Sequence, residues 1–241
     1  MPGPGSAPPA QLPLALRYPP DQRIATFVGA PQGALPHVEA LARGETPDWL
    51  YLSGPAGTGK THLLIAACAQ AQEAGRRPAY LALEGVAGRA GEALQAFEGM
   101  DLVALDGLET LAGRRDDEFA LFDFHNRAQA AGTAVVYAAT VRPDALDLAL
   151  PDLRSRLGQC SGVVLAPLDD DGRREVLRQR ARRRGLAMDE AALDWLMRRV
   201  GRDLASLTQL FDRLDRAALA AQRRLSVPFL RATLGDALDP R

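Results

Sequence analysis

The chain has 241 residues, of which 47% are apolar, and its formal net charge at pH 7 is −1. This length and apolar content suffice for one α/β domain with a small satellite, and the near-zero charge argues against a free-standing DNA-binding protein. No run of about 18 apolar residues is present, so the sequence predicts no membrane-spanning helix.

Residues 1–20 are predicted to form a flexible tail. They include seven prolines, and this composition does not support a packed core. The segment Gln11–Leu16 (Gln-Leu-Pro-Leu-Ala-Leu) is a short apolar patch inside the tail. Residues 1–10 lack the basic and apolar regions of a secretory signal, and Cys68 and Cys160 lack metal-ligand spacing. We therefore expect a cytoplasmic protein with reduced thiols.

Residues 21–166 are predicted to form an α/β base. The predicted strands are Trp49–Ser53, Ala79–Leu83, Leu102–Leu105, Ala134–Ala139 and Val163–Leu165, and the predicted helices are Lys60–Ala74, Val86–Phe97 and Asp116–Ala131. Strands that alternate with helices indicate a five-stranded parallel sheet covered on both faces. Ligands of such sheets bind at the carboxyl ends of the strands.

Residues 167–241 are predicted to form a small, all-α lid. Its predicted helices are Asp169–Arg184, Asp189–Val200, Leu204–Arg223 and Val227–Leu238. One apolar stripe at helical spacing indicates the core of a helical bundle: Leu204, Leu207, Leu210, Phe211 and Leu214. The arginine-rich stretch Arg178–Arg184 is interpreted as a solvated helix face, with contact to DNA as the alternative.

The segment Gly54–Thr61 matches the phosphate-binding pattern G-x-x-x-x-G-K-[ST] in full and lies between a predicted strand and a predicted helix. Its residues are Gly54, Pro55, Ala56, Gly57, Thr58, Gly59, Lys60 and Thr61. Glycines allow backbone N–H groups to converge on phosphate oxygens, and the following helix directs its positive end at the same anion. Lys60 would contact the β- and γ-phosphates, and the Thr61 hydroxyl would bind Mg²⁺.

The lysine count supports this prediction. Of 29 basic residues, Lys60 is the only lysine. Surface positions accept arginine in place of lysine, whereas a phosphate-binding loop requires a compact ammonium on a flexible stem. The one lysine of the chain stands in the one motif that needs it.

Asp106 is predicted to lie on the metal side of the site. It follows the buried strand Leu102–Leu105, and a carboxylate at that strand end can support Mg²⁺. Gly107 stands where hydrolytic relatives usually have a glutamate, so a general base is missing there, and Glu109 is the nearby substitute. We expect weak intrinsic ATP hydrolysis at most.

Several segments of the chain resemble the AAA+ module of the DnaA-related proteins: Trp49–Thr61, Leu102–Asp106 and Leu150–Leu157. Three further segments narrow the resemblance to the Hda branch of that family: Gln179–Gly185, Leu214–Ala217 and Ala221–Phe229. The resemblance runs from near residue 10 to the last residue. It implies an AAA+ P-loop NTPase base with a helical lid, ADP or ATP and Mg²⁺ as cofactors, and DnaA and the β sliding clamp of DNA polymerase III as partners.

The resemblance also assigns nucleotide-directed roles to individual residues. Arg156 matches the arginine finger in the family pattern Pro-Asp-Leu-x-Ser-Arg-Leu, and Arg202 matches the lid arginine called sensor 2. Phe27 and Val28 match the stretch that lines the adenine pocket. Val141 stands where the family has an aspartate, so only Thr140 remains to read the γ-phosphate.

The tail is assigned a partner in the same way. Gln11, Leu12, Leu14 and Leu16 fall where Hda-like proteins carry their clamp-binding peptide. An extended peptide can place its leucines in an apolar groove while the glutamine forms hydrogen bonds at the rim. A linker whose leucines pack on their own domain is the alternative.

The implied function is negative regulation of chromosomal replication initiation. The protein would dock on the DNA-loaded clamp and stimulate hydrolysis of the ATP bound to DnaA, with only indirect or weak DNA contact. The alternative is an AAA+ helicase loader of the DnaC kind. Two copies of this chain, or one copy and DnaA, could pair head to tail, with Arg156 facing a neighbour's nucleotide. His37, His62 and His125 form no triad or metal set and are expected to be surface or capping residues.

Overall fold

The structure, a computed structural model, describes residues 18–199, 204–221 and 224–235. Its sheet consists of β1 (Leu50–Ser53), β2 (Pro78–Ala82), β3 (Leu102–Asp106), β4 (Ala134–Ala139) and β5 (Ser161–Val164). Neighbouring strands are parallel throughout, and their order across the sheet is β2-β3-β4-β1-β5. The carboxyl ends of β1 and β3 therefore flank that of β4.

The helices of the base cover both faces of this sheet. They are α1 (Ala34–Arg43), α2 (Lys60–Glu73), α3 (Ala90–Gln95), α4 (Arg115–Ala131) and α5 (Pro151–Gly158). Successive strand residues point to opposite faces, so Leu50 and Leu52 pack with α1 and α2, whereas Tyr51 packs with α3, α4 and α5. The predicted α/β fold, with a parallel sheet between two helical layers, is confirmed.

The lid has its own core. It contains α6 (Asp170–Arg183), α7 (Glu190–Arg199), α8 (Leu204–Ala221) and α9 (Val227–Leu234). Apolar side chains from all four helices form one cluster that includes Leu177, Trp195, Phe211 and Leu230. The predicted small helical lid is therefore confirmed. No helix in the described part of the chain is long and apolar enough to cross a membrane.

Ion pairs join the lid to the base. Asp21 of the base accepts a hydrogen bond from Arg184 at 2.7 Å, and Arg184 also donates to Asp215 on α8 at 2.6 Å. Arg178 pairs with Glu190 at 2.8 Å. Much of the arginine-rich stretch is thus engaged with carboxylates of the same chain.

The helix predicted over Val86–Phe97 is wrong in its first half. A 3₁₀ turn covers Leu83–Val86, and α3 begins only at Ala90. The carboxylate of Asp117, on α4, accepts hydrogen bonds from the backbone N–H groups of Gly88 and Ala90 at 2.5 and 3.0 Å. A side-chain acceptor that satisfies these amides competes with helical hydrogen bonding.

His125 is also placed differently from the expectation of a surface or capping residue. It is 4% exposed and lies on the core face of α4. Its Nδ1 is 3.0 Å from the hydroxyl of Tyr137, and its ring meets that of Trp49 edge to face. Burial, followed by the charge of Arg156, lowers the pKa of His125 to about 4.

The lowered pKa of His125 predicts a component of acid sensitivity. The unfolded chain binds a proton at this ring below pH 6.5, whereas the folded chain does so only near pH 4. The free energy of unfolding should therefore fall by up to about 3 kcal/mol between these pH values because of this residue. Urea unfolding of wild type and His125→Gln from pH 7 to pH 4 measures it. Parallel pH profiles of the two proteins would contradict the prediction, and His37→Gln serves as the control.

Candidate functional site

The predicted phosphate-binding loop lies between the carboxyl end of β1 and the start of α2. The first residue of α2 is Lys60, and its side chain is 8% exposed. Its ammonium donates hydrogen bonds to the carbonyl oxygens of Gly54 at 2.5 Å and Pro55 at 2.9 Å. Burial lowers the pKa of Lys60, and the nearby carboxylates of Glu109 and Asp106 oppose that shift. The loop thus wraps around its own ammonium, at the end of a helix whose dipole favours an anion.

The two predicted metal-side residues lie side by side. The hydroxyl of Thr61 donates to Asp106 Oδ2 at 2.6 Å, across the gap between α2 and the end of β3. Their oxygens are the donor type that Mg²⁺ prefers. Within the described residues no group of three or more His, Cys, Asp and Glu side chains could hold a metal ion. Mg²⁺ here would therefore require further oxygens from water and phosphate, as is usual for this ion.

Tyr80 is a member of this cluster that the sequence analysis did not identify. Its hydroxyl donates to the same Asp106 Oδ2 at 3.0 Å. Tyr80 belongs to β2, which pairs with β3 in register Tyr80↔Ala104, two residues before Asp106. Burial, followed by the charge of Asp106, raises the pKa of the Tyr80 hydroxyl. The sequence does place a tyrosine near the carboxyl end of a predicted strand. It does not reveal that this strand neighbours the one that ends at Asp106, so the contact could not be predicted.

Glu109 lies where a substitute base would be needed. It follows Gly107 in a 3₁₀ turn, and its carboxylate accepts a hydrogen bond from the backbone N–H of Thr140 at 3.2 Å. Its charge also acts on Lys60. The structure therefore brings Glu109, Thr140 and Lys60 together at the carboxyl ends of the strands. The neighbouring Val141 is an exposed apolar residue, and its carbonyl oxygen accepts a hydrogen bond from the hydroxyl of Tyr51 at 3.0 Å.

The two residues predicted for the adenine pocket line a small cavity of about 60 Å³ between base and lid. Phe27 and Val28 contribute from the base, together with Gly59 and His62, and α6 contributes Arg180. A Cβ atom on Gly59 would lie 2.6 Å from the ring of Phe27, so only glycine permits this close approach. The cavity therefore adjoins the phosphate-binding loop directly.

His62 is the residue of this cavity that the sequence analysis underrated. Its ring meets that of Phe27 edge to face, with the centroids 5.2 Å apart. Its Nε2 is 3.0 Å from the carbonyl oxygen of Arg23 and 3.2 Å from the hydroxyl of Thr26. Burial lowers the pKa of His62. Because His62 directly follows Thr61, the sequence indicates that it lies near the loop. The sequence does not indicate its contacts with Phe27, Arg23 and Thr26.

Arg156 lies at the opposite end of the strands, where their amino ends are. It belongs to α5 and lines a cavity of about 590 Å³ together with Trp49 and Ala134, which stand at the amino ends of β1 and β4. Its guanidinium makes no hydrogen bond or ion pair to any residue that the structure describes. Because the phosphate-binding loop lies at the carboxyl end of β1, Arg156 faces away from the loop of its own chain.

Two predicted sites lie outside the described residues. They are Arg202, predicted to reach the bound phosphates, and the tail segment with Gln11, Leu12, Leu14 and Leu16. Their assignments stay predictions.

A known family model matches the C-terminal part of the chain. Residues 170–234 match the model of the Hda lid domain. These residues include all four lid helices, from α6 to α9. The match therefore concerns the lid and not the base.

Most of the chain is similar in fold to solved structures of DnaA and RuvB. Domain III of DnaA from Thermotoga maritima superposes with a TM-score of 0.75 at 20% identity, over 92% of this chain and 99% of that one. A replication initiator DnaA bound to AMPPCP and single-stranded DNA gives 0.68 at 22% identity, over 86% and 70%. The RuvB Holliday junction branch migration motor of Thermotoga maritima gives 0.62 at 18% identity, over 88% and 71%. At these identities the similarity establishes the fold alone.

The conformation of Gly107 yields a prediction about the missing glutamate. Gly107 has φ +82°, a region that costs most L-residues about 1–2 kcal/mol and that asparagine tolerates better. A Cβ atom there would meet no close neighbour, so the backbone alone sets the cost. We expect Gly107→Glu to lower the free energy of urea unfolding by about 1 kcal/mol more than Gly107→Asn does. Equal stabilities of the two variants would contradict this explanation.

Proposed function

We propose that this chain, which is an AAA+ protein related to Hda and DnaA, is a nucleotide-dependent negative regulator of replication initiation. It would dock on the DNA-loaded β sliding clamp and stimulate hydrolysis of ATP bound to DnaA. The observation that carries the proposal is Arg156, which has no hydrogen-bond or ion-pair partner among the described residues and lies at the end of the strands opposite the chain's own predicted phosphate-binding loop. On a chain whose lid matches that of Hda, this arginine is suited to a neighbour's nucleotide.

The nucleotide of this chain would be ADP or ATP, held on the loop Gly54–Thr61. The compact ammonium of Lys60, the glycines and the start of α2 supply the features that bind phosphate. Thr61 and Asp106, with their oxygens already adjacent, would support Mg²⁺. The related DnaA structure holds AMPPCP, which agrees with this assignment. Arg202 would approach the phosphates from the lid.

The bound nucleotide would act more as a structural switch than as fuel. Gly107 replaces the glutamate that would activate water, and the carboxylate of Glu109 is engaged by the backbone of Thr140. The cavity of Phe27, Val28 and Arg180 lies between base and lid. A nucleotide base packed against these residues would touch both parts of the chain and so favour one orientation of the lid.

Arg156 would act on the ATP of DnaA. In hydrolysis, water attacks the γ-phosphorus, the bond from that phosphorus to the β–γ bridging oxygen breaks, and ADP and inorganic phosphate leave. Negative charge develops on the transferred phosphoryl group and its leaving oxygen. A guanidinium beside these oxygens stabilises that charge, and such fingers contribute roughly 10³–10⁵ in rate.

The tail would recruit the protein to the clamp. Gln11 and the leucines at 12, 14 and 16 form a short peptide with alternate apolar side chains, a pattern suited to an apolar groove. Tethering of this kind raises the effective concentration of the base near DnaA on the same DNA.

The regulator assignment predicts a specific loss of activity. ATP-loaded DnaA, DNA-loaded clamp and this protein with ADP are mixed, and hydrolysis of the DnaA-bound ATP is followed. Wild type should accelerate hydrolysis, and Arg156→Ala should lower the maximum rate by roughly 10³-fold while it still binds the clamp. Ser155→Ala, on the same helix, is the matched control and should behave as wild type.

The same assay distinguishes the proposed role of the tail in clamp binding from the proposed role of Arg156 in hydrolysis. Gln11→Ala should lose clamp binding and activity at low protein concentration, but regain activity when the protein is in excess, whereas Ser6→Ala should change neither. If wild type binds the clamp without accelerating hydrolysis, it is an adaptor with another target. If it does neither, binding to the replicative helicase is to be measured, because a helicase loader is then the better assignment.

The nucleotide site predicts that arginine cannot replace Lys60. The ammonium is enclosed by the carbonyl oxygens of Gly54 and Pro55, and a planar guanidinium has neither that size nor that geometry. Loss of one charge-assisted hydrogen-bond partner corresponds to about a 10- to 100-fold weaker affinity. Titration with a fluorescent ADP analogue should show this loss for both Lys60→Arg and Lys60→Ala. Wild-type affinity of Lys60→Arg would contradict the placement of the phosphates.

A further inference from the structure

Two consecutive carboxylates are buried at the start of α4. Asp117 is 3% exposed and Glu118 is 0% exposed. A buried carboxylate is costly unless its oxygens accept hydrogen bonds. Both side chains meet this condition through backbone N–H groups, and they do so on different sides of the helix. Asp117 holds the segment that leads into α3 through Gly88 and Ala90.

Glu118 holds the segment that leads into α5. Its Oε1 accepts from the backbone N–H of Ala149 at 3.0 Å and its Oε2 from that of Leu150 at 2.8 Å. Its Oε1 also accepts from the N–H of Gly113 at 2.7 Å, in the turn before α4. One fully buried side chain thus connects three backbone N–H groups from two parts of the chain.

This connection fixes the point where α5 begins. Leu150 is the residue before the helix, and Pro151, at the first helical position, has no N–H group. In the part of the chain that the structure describes, no side chain caps this helix start. The carboxylate of Glu118 therefore defines the course of the chain immediately before α5.

The rest of α5 has little freedom once its start is fixed. Leu153 and Leu157 are fully buried, on the face that packs on the base. Arg154 donates a hydrogen bond to the carbonyl oxygen of Leu148 at 2.7 Å, which ties the helix back to the same segment. Arg156 is less than two helical turns from Leu150, so a shift of the helix start is transmitted to its guanidinium.

We propose that Glu118 is a positioning residue for Arg156. It acts through the backbone of Ala149 and Leu150 and sets the place at which Arg156 meets the nucleotide of a neighbouring AAA+ subunit. The inference rests on the proposed function, because the role of Arg156 toward that nucleotide is part of it. Glu118 itself is fully buried, and its two oxygens accept from backbone N–H groups of Gly113, Ala149 and Leu150.

The test compares Glu118→Gln with Asp117→Asn. Each variant replaces a buried carboxylate by its amide, which presents an N–H₂ group to backbone N–H donors and loses at least one hydrogen bond. The two residues are adjacent and both almost fully buried, so Asp117→Asn is the matched control for the loss of a buried carboxylate. Urea unfolding and ADP affinity are measured first, and we expect similar values for the two variants.

The distinguishing readout is stimulation of DnaA-bound ATP hydrolysis as a function of protein concentration. Displacement of a catalytic group by about 1 Å can cost about 100-fold in rate. Glu118→Gln should therefore lower the maximum rate by about 10- to 100-fold, with an unchanged half-saturating concentration, whereas Asp117→Asn should retain the wild-type rate. In the Arg156→Ala background, Glu118→Gln should produce no further loss, because both changes remove the same contribution.

Hydrogen exchange separates failure of this inference from failure of the proposed function. Amides of residues 149–157 should exchange faster in Glu118→Gln than in Asp117→Asn, even if wild type proves inactive toward DnaA. Inactive wild type with this exchange pattern would remove the function and retain the positioning role. Equal exchange of that segment, equal maximum rates of the two variants, or additive losses with Arg156→Ala would each overturn the inference.

Discussion

In a parallel sheet all carboxyl ends of the strands lie on one side and all amino ends on the other. The candidate sites of this chain depend on the difference between these two ends. The carboxyl ends of β1 and β3 place Lys60, Thr61 and Asp106 together. The amino ends of β1 and β4 border the cavity that Arg156 lines. The candidate phosphate site and Arg156, which has no hydrogen-bond or ion-pair partner among the described residues, therefore lie at opposite ends of the strands and cannot serve each other. Head-to-tail contact with a second AAA+ subunit is the arrangement that brings two such ends together.

The second organising feature is a set of hydrogen bonds from backbone N–H groups to two buried carboxylates. Asp117 and Glu118 extend from the first turn of α4 to two separate loops, and they order the segments before α3 and α5. Neither carboxylate contacts the phosphate-binding loop in the described residues. Glu118 is, however, linked by hydrogen bonds to the segment that leads directly into α5, the helix of Arg156.

Local sequence patterns predicted the features that are local in structure. The loop between β1 and α2, the strand ending at Asp106 and the lid helices follow from short-range spacing. Tyr80, His125 and Glu118 escaped prediction because their roles depend on neighbours distant in sequence, such as Asp106, Tyr137 and Leu150. For His125 a signal existed, since it shares an apolar helical face with Leu121, Phe124 and Ala128. The helix predicted from Val86 failed for the same reason, because Asp117 lies far along the chain.

In the proposed function, this chain promotes hydrolysis on its neighbour and not on itself. The decisive measurement is single-turnover hydrolysis with labelled ATP loaded on one protein at a time. With the label on DnaA, and this protein with ADP on DNA-loaded clamp, we expect rapid release of labelled phosphate. With the label on this protein and unlabelled ATP on DnaA, we expect the label to be retained. Release of phosphate from this chain, with the DnaA-bound label intact, would show that the proposed function is wrong.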